Sequence, residues 1–411
     1  MTQKKKLIVI GGGAAGFFCA VNAATKGLEV VILEKTSKIL SKVKVSGGGR
    51  CNVTHSCLSI AEMIKNYPRG SKFLKESFHH FFTTDTINWF EAKGIRLKTE
   101  PDGRMFPESN SSQTIIDCLL QEATKNHVEI LLNCDVEKIS IDKNNRFTLF
   151  LKNNPEMIAD FVCVASGGYN KEHQYRWIAD LGHGFEKPVP SLFTFNIPDN
   201  DMVQLTGISI DNAVVKLNGT KLFQQGSILI THWGLSGPAI LKLSSFAAKE
   251  LAQWQYNFSV SVNWLHQFNE TSLIEKLRQL RSNDASKKIT NRNPFSLPQR
   301  FWEYQLQLSN IDKDVRWADL SSKQQNLLAK LLCSQQFEIK GKTTFKEEFV
   351  TAGGIQLNEI NASTMQSRVI PNLFFAGEIM NVDGITGGYN FQHAWTSGYL
   401  AAKKIKESVI A

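Results

Sequence analysis

The sequence predicts an α/β fold built on a parallel sheet, and three observations near its start carry that prediction. Leu7-Ile8-Val9-Ile10 is a continuous apolar run of strand length. Gly11-Gly12-Gly13-Ala14-Ala15-Gly16 follows it directly and opens a helical pattern reaching Lys26, and Glu29 to Glu34 is a second apolar strand closed by an acid. Parallel neighbours need a crossover helix, so the order is β-α-β. In the G-x-G-x-x-G turn Gly11 makes the bend, Gly13 admits a pyrophosphate, and Gly16 lets helix and strand pack closely. The N–H groups at the helix start, at Ala14 and Ala15, then face the phosphates, where the helix dipole favours negative charge. Glu34 is placed to accept hydrogen bonds from both ribose hydroxyls. A bound dinucleotide is the expectation.

A chain of 411 residues implies two or three domains, and 42% hydrophobic with 21% charged residues is the composition of a packed globular protein. MTQKKKLIVI imitates the basic start of a secretory signal, but its apolar run stops at Gly11, which is a strand length. No stretch has the uninterrupted apolar length of a membrane span, so a cytoplasmic address is expected. Cys19, Cys51, Cys57, Cys118, Cys134, Cys163 and Cys333 are scattered, without a Cys-x-x-Cys pair, so neither a disulfide framework nor a metal site is expected. The formal net charge of +9 is spread along the chain with no recognisable nucleic-acid module, so no nucleic-acid partner is expected.

Helical patterns run from about Ile60 to Lys93, and another is capped near Ser111 or Ser112 after Arg104-Met-Phe-Pro107. Val128 to Leu132 reads as a strand and Val136 to about Phe161 as a meander. Phe161 to Ala165 returns to the sheet. Pro188 and Pro190 mark a boundary. Beyond it Ala213 to Leu217 and Phe258 to Val262 alternate as strands, while Glu270 to Leu280, Pro298 to Gln307 and Ser321 to Cys333 are helix-like. From Phe345 short apolar strands with glycines return, ending in a helix from about Tyr389 to Glu407. The expected organisation is a first domain in two segments, 1–189 and 345–411. Between them lies an insertion at 190–344, β-rich over 190–265 and helical over 266–335.

The glycine turn alone does not separate NAD from FAD, and later segments favour FAD. Ser46-Gly47-Gly48-Gly49-Arg50-Cys51-Asn52 offers successive unhindered N–H groups, a guanidinium and an amide, suited to wrapping a pyrophosphate and approaching a flat ring. Leu373-Phe-Phe-Ala-Gly377-Glu378 is a buried strand delivering an acid to its carboxyl end, where Glu378 or Asp383 would meet the ribityl hydroxyls. Gly387-Gly388-Tyr389-Asn390 opens the last helix, whose amino terminus would stabilise negative charge on a reduced flavin.

These segments, with Thr231-His-Trp-Gly-Leu-Ser-Gly-Pro238 and Thr351-Ala-Gly-Gly-Ile355, resemble the BaiN-like flavoproteins, the NAD(P)/FAD-dependent or aminoacetone oxidase-family enzymes, over nearly the whole chain and in the same order. The resemblance implies a discontinuous Rossmann-type FAD-binding domain of glutathione-reductase type, an inserted β-barrel-like and helical domain, and non-covalent FAD. Lys35, Lys42, Val136, Ala165, Ser166 and Gly167 join the expected cofactor-binding positions. Two departures stand out. Leu40-Ser41-Lys42-Val43-Lys44 keeps only Lys42 of the usual Gly-Arg-Lys pattern, and after Gly168 a short Tyr169-Asn-Lys-Glu-His-Gln replaces the usual longer loop.

Tyr389, His393 and His232 are the candidates for a proton donor, although hydride transfer to flavin can proceed without a protein base. Arg104 is either a clamp for a substrate carboxylate or a surface ion pair. Cys51 and Cys57 are separated by five residues where flavin disulfide reductases use four, so they are read as loop and packing residues. No second β-α-β unit follows Ala165, so NAD(P)H, if it is the donor, visits the flavin transiently; oxygen would serve as acceptor equally well. The expected function is an FAD-dependent oxidoreductase passing a hydride between flavin N5 and a small organic substrate, a conjugated alkene or an amine. That substrate is expected near Thr231 to Gly237 and Gly387 to Asn390. The alternative, prompted by Arg278, Arg281, Lys287, Lys288, Arg292 and Arg300, is an FAD-loaded binding or RNA-associated protein without turnover. Oligomeric state is not legible.

Overall fold

A computed structural model of the chain describes residues 4–198, 201–343 and 350–410. It divides into two units, Met1–Pro190 with Lys346–Ala411, and Ser191–Phe345. The boundary expected at 344/345 lies outside the described residues.

In the first unit, β1 (Lys5–Ile10), β2 (Leu28–Glu34), β6 (Glu129–Leu132), β10 (Phe161–Val164) and β20 (Leu373–Phe375) form a parallel sheet in the order β20-β10-β1-β2-β6. Leu7, Ile8 and Val9 are wholly buried, as a central parallel strand covered on both faces requires. Helix α1 (Ala14–Ala23) packs on α13 (Tyr389–Ile410), and Gly398 permits the approach: a Cβ there would lie 2.7 Å from the Ala15 carbonyl oxygen. Phe18 of α1 meets Trp395 of α13 at 5.2 Å between ring centroids and Trp89 at 4.6 Å.

Around this sheet lie α2 (Ser41–Gly49), α3 (Ile60–Met63), α4 (Ser71–Phe78), α5 (Thr83–Glu91), α6 (Ser112–Lys125) and α7 (Arg176–Ala179). Ser111 caps α6, its hydroxyl accepting the Gln113 N–H. β3 (Thr54–His55), β4 (Leu97–Thr99) and β5 (Arg104–Pro107) form an antiparallel sheet in the order β3-β5-β4. The meander is β7 (Val136–Ile141), β8 (Phe147–Leu151) and β9 (Met157–Ala159), and β11 (Phe185–Ser191) pairs with β19 (Val350–Ile355).

The second unit holds β12 (Thr194–Asn196), β13 (Ser209–Leu217), β14 (Phe223–Thr231), β15 (Gly234–Ser236), β16 (Asn257–Asn263), β17 (Gln335–Lys340) and β18 (Lys342–Thr343). Their order is β17-β16-β13-β14-β15-β12-β18. The two end strands are joined by a single residue, Gly341 (φ 87°), so the sheet must curl until its edges meet and no long edge is left exposed. This is the inserted barrel. Helices α8 (Pro238–Phe246) and α9 (Ala248–Gln253) interrupt the stretch expected to be β-rich. α10 (Glu270–Asn283), α11 (Gln299–Leu308) and α12 (Ser322–Ser334) share one apolar core with the barrel, through residues such as Val215, Val260, Trp264, Leu277, Trp302 and Leu328. The strand and helical parts of the insertion are one packing unit. No helix among the described residues is long and apolar enough to cross a membrane.

Candidate functional site

The carboxyl ends of β1, β2 and β10 bring the first motif together. Helix α1 begins behind Gly13 with no side-chain cap and no acid in its first turn, which leaves its positive end to an external anion. A Cβ on Gly11 would fall 2.4 Å from the Ala165 carbonyl oxygen, and one on Gly16 would fall 2.0 Å from that of Gly11. Protein backbone therefore requires those two glycines. Gly13 differs: nothing lies within 4 Å of its Cβ direction, and its φ of −93° with ψ of −172° suits any residue. That open space lies in front of the uncapped start of α1, where a pyrophosphate would fit. Glu34 is held beside it, one carboxylate oxygen accepting the Gly12 N–H at 2.9 Å and the other the Thr36 N–H at 2.9 Å and hydroxyl at 2.8 Å.

The glycine-rich segment forms a second open edge. Regular helix ends in α2 at Ser46 (ψ 146°), whose hydroxyl donates to the Val43 carbonyl at 2.9 Å. Gly48 and Gly49 have φ of 68° and 84°, with nothing near their Cβ directions, whereas Gly47 packs on Phe106. Arg50 pairs with Glu100 at 2.6 Å and lies 4.1 Å over the Phe106 ring; Arg104 pairs with Glu100 at 3.1 Å and Asp102 at 2.7 Å. Arg104 is thus an ion-paired residue. With its amide oxygen toward Gly388, Asn52 accepts that N–H at 2.9 Å and donates to the Thr54 carbonyl at 3.0 Å. Ala165 is buried at the end of β10, Ser166 follows it, Gly167 (φ 75°) is open, Val136 is buried at the start of β7, and the Lys35 ammonium sits 5.6 Å over the Tyr169 ring. Gly377 abuts α1, where a Cβ would lie 2.8 Å from the Ala15 Cβ. Glu378 pairs with Lys42 at 2.6 Å and accepts the Thr351 N–H at 2.9 Å.

Several of the expected positions are engaged within the protein itself. Asp383 is wholly buried with both carboxylate oxygens engaged by Arg69, so it forms an internal ion pair. The Gly388 N–H is spent on Asn52, and Gly388 is glycine because a Cβ would strike Thr54 backbone at 2.5 Å. Asn390 uses both ends of its amide to clamp Gly384, at 2.8 and 2.9 Å. Gly387 (φ 129°) remains at the entrance to α13. His393 is buried inside α13, its Nε2 donating to the Gly377 carbonyl at 3.1 Å. His232 stands in the turn between β14 and β15 of the second unit, exposed and 4.0 Å from the Trp233 ring. An open Gly13, an uncapped helix and a poised Glu34 nonetheless fit the ADP half of FAD.

Residues 5–404 match the family described as HI0933-like protein Rossmann domain. The chain belongs to this family. Its relatives include the ribosomal RNA dihydrouridine synthase of Escherichia coli, 31% identical over 97% of each chain. The 3-dehydro-bile acid delta(4,6)-reductase of Clostridium scindens is 27% identical over 97% of this chain and 98% of the other. Among solved structures, a flavocytochrome c3 fumarate reductase aligns with a TM-score of 0.51 at 16% identity, covering 100% of this chain and 79% of that one. The 3-ketosteroid delta1-dehydrogenase of Sterolibacterium denitrificans aligns at 0.53 and 12% identity, covering 99% and 100%. These structures share the fold. The protein is an FAD-dependent oxidoreductase of the HI0933-like family, the group that the motifs resemble.

Within this flavoprotein an aromatic cluster invisible in the sequence surrounds the start of α13. His55 stacks on Tyr389 at 5.0 Å and 19°, its ring nitrogens engaged by the Cys57 N–H at 3.1 Å and the Asp102 carbonyl at 3.2 Å. Tyr67 donates to the Tyr389 carbonyl at 2.7 Å. Burial, with Cys57 and Asp102 nearby, pushes the Tyr389 hydroxyl up to about 12, so it keeps its proton at neutral pH.

Cys51 and Cys57 are both free thiols. Cys51 is buried with its thiol pushed up to about 12, and Cys57 donates weakly to the Ser59 carbonyl at 3.4 Å. Cys57→Ser is expected to leave flavin reduction and reoxidation rates within about threefold, ~0.7 kcal/mol of barrier, by stopped-flow absorbance.

His393 carries a pH signature instead. Burial lowers its pKa from 6.5 to about 4, so the folded state binds fewer protons than the unfolded chain. Its contribution is complete above pH 6.5 and is lost as pH falls toward 4, amounting to about 3 kcal/mol. Thermal unfolding of His393→Gln is expected to lose most of that acid dependence; an unchanged pH profile would reject it.

Proposed function

We propose that this protein reduces a carbon–carbon double bond conjugated to a carbonyl, and that its substrate is a uracil ring within ribosomal RNA. The observation that carries this reading is the end-to-end similarity to ribosomal RNA dihydrouridine synthases, at 31% identity over 97% of both chains. Dihydrouridine arises when two hydrogens add across the uracil double bond, which is conjugated to a ring carbonyl. The bile-acid reductase is named for the same bond class in a steroid. The formal net charge of +9 is spread along the chain and by itself points to no nucleic-acid partner; the similarity to ribosomal RNA dihydrouridine synthases is what reverses that expectation. A cytoplasmic address and transient NADH or NADPH as electron donor go with this reading.

FAD, when bound, supplies the hydride. The chain's own residues bind and orient. Gly13 and the start of α1 take the pyrophosphate, Glu34 the ribose, and the open backbone of Gly48 and Gly49 admits a flat ring. Tyr389, fixed between His55 and Tyr67, holds a proton for the second substrate carbon.

The test incubates the protein with unmodified ribosomal RNA and NADH or NADPH, then analyses nucleosides by mass spectrometry. Dihydrouridine should appear, and Tyr389→Phe should slow it by about a hundredfold to ten-thousandfold. Unmodified RNA, with steroid enones reduced under the same conditions, would move the assignment to a small-molecule reductase.

A further inference from the structure

The short segment after Gly168 places an aromatic ring beside the expected adenosine position. Tyr169 is half-buried and fixed from three sides. Its ring rests edge-on against Tyr175 at 5.1 Å, and Tyr175 in turn stacks on Phe185 at 5.0 Å and 13°. Its N–H donates to the Tyr175 hydroxyl at 3.2 Å. The Lys35 ammonium lies 5.6 Å over the ring, and Lys35 directly follows Glu34. Gly167, two residues before Tyr169, leaves open space on its Cβ side.

Geometry then orders the ligand. The pyrophosphate sits at Gly13 and the ribose at Glu34, so the base on that ribose continues away from α1 toward Lys35. We propose that Tyr169 forms the aromatic wall of the adenine pocket, with Lys35 closing the pocket beside it. A ring already packed on Tyr175, with its backbone N–H bonded to that hydroxyl, loses little freedom when a base packs on it, which is the condition under which stacking adds affinity. The inference rests on FAD binding and is independent of which alkene is reduced.

The test measures FAD and ADP binding to full-length apoprotein, FAD by quenching of its fluorescence and ADP by competition. Tyr169→Ala and Tyr169→Leu should each weaken both ligands by about 10- to 100-fold, the usual effect of truncating an aromatic ring on which a base stacks. Tyr169→Phe should stay within about threefold of wild type, because it keeps the ring and removes only the hydroxyl. The Leu and Phe variants keep apolar bulk, so their comparison stands even where the Ala variant folds poorly. Wild-type ADP affinity in Tyr169→Leu would overturn the proposal. So would equal losses in the Leu and Phe variants, which would assign the effect to the hydroxyl and not to the ring.

Discussion

Gly13→Val should purify as a folded protein with almost no flavin. The valine Cβ meets no protein atom within 4 Å, and the extended backbone at this position is one that β-branched residues favour. Stability should therefore match wild type within the ±0.5 kcal/mol usual for unstrained surface changes. The added methyl groups occupy the space of the pyrophosphate, so FAD affinity should fall by at least about a hundredfold, the scale of removing close anion contacts at a helix terminus. Gly16→Ala is the opposite control: its Cβ would lie 2.0 Å from the Gly11 carbonyl oxygen, so it should lower the melting temperature whether or not FAD is added. Normal flavin content in folded Gly13→Val would remove the pyrophosphate from this turn.

Ending the chain at Lys340 should abolish both folding of the first unit and FAD binding, although the glycine turn and Glu34 are retained. β20 lies along β10 through Val162↔Leu373, Cys163↔Phe374 and Val164↔Phe375, and Leu373, Phe374 and Phe375 are wholly buried. Trp395, Leu400 and Ile405 of α13 are at most 1% exposed against the same interior. Each such side chain contributes about 1.5–3 kcal/mol of burial. Six of them together exceed or match the whole stability of a domain, about 5–15 kcal/mol. Circular dichroism melting and flavin absorbance of the truncated protein check this. A cooperative melt with full FAD affinity would show that the carboxyl-terminal segment is dispensable to the cofactor.

Features set by neighbouring residues were legible in the sequence. The strand, glycine turn, helix and acid of the first β-α-β unit need only local periodicity, and so do the Ser111 cap and α10 to α12. Features set by long-range pairing were not. Nothing near Asp383 announces Arg69, and nothing near Tyr389 announces His55, because those partners arrive from distant parts of the chain. The same blindness explains why Asp383 resembled a ribityl ligand: an acid after a glycine-rich strand end has one sequence signature whether it faces a ligand or a buried arginine. Closure of the barrel through Gly341 also lay beyond pattern reading, since Gln335 to Thr343 becomes two edge strands only when its partners, Asn257–Asn263 and Thr194–Asn196, are known.

If the bound flavin passes its electrons to a carbonyl-conjugated double bond in RNA, then reduced enzyme should be reoxidised by RNA alone. The most direct measurement photoreduces the enzyme without any nicotinamide donor and mixes it anaerobically with unmodified ribosomal RNA, following flavin absorbance and nucleoside composition together. The oxidised flavin spectrum should return, with one dihydrouridine formed for each flavin reoxidised. A flavin that stays reduced with RNA, yet is reoxidised by imines or only by oxygen, would contradict it.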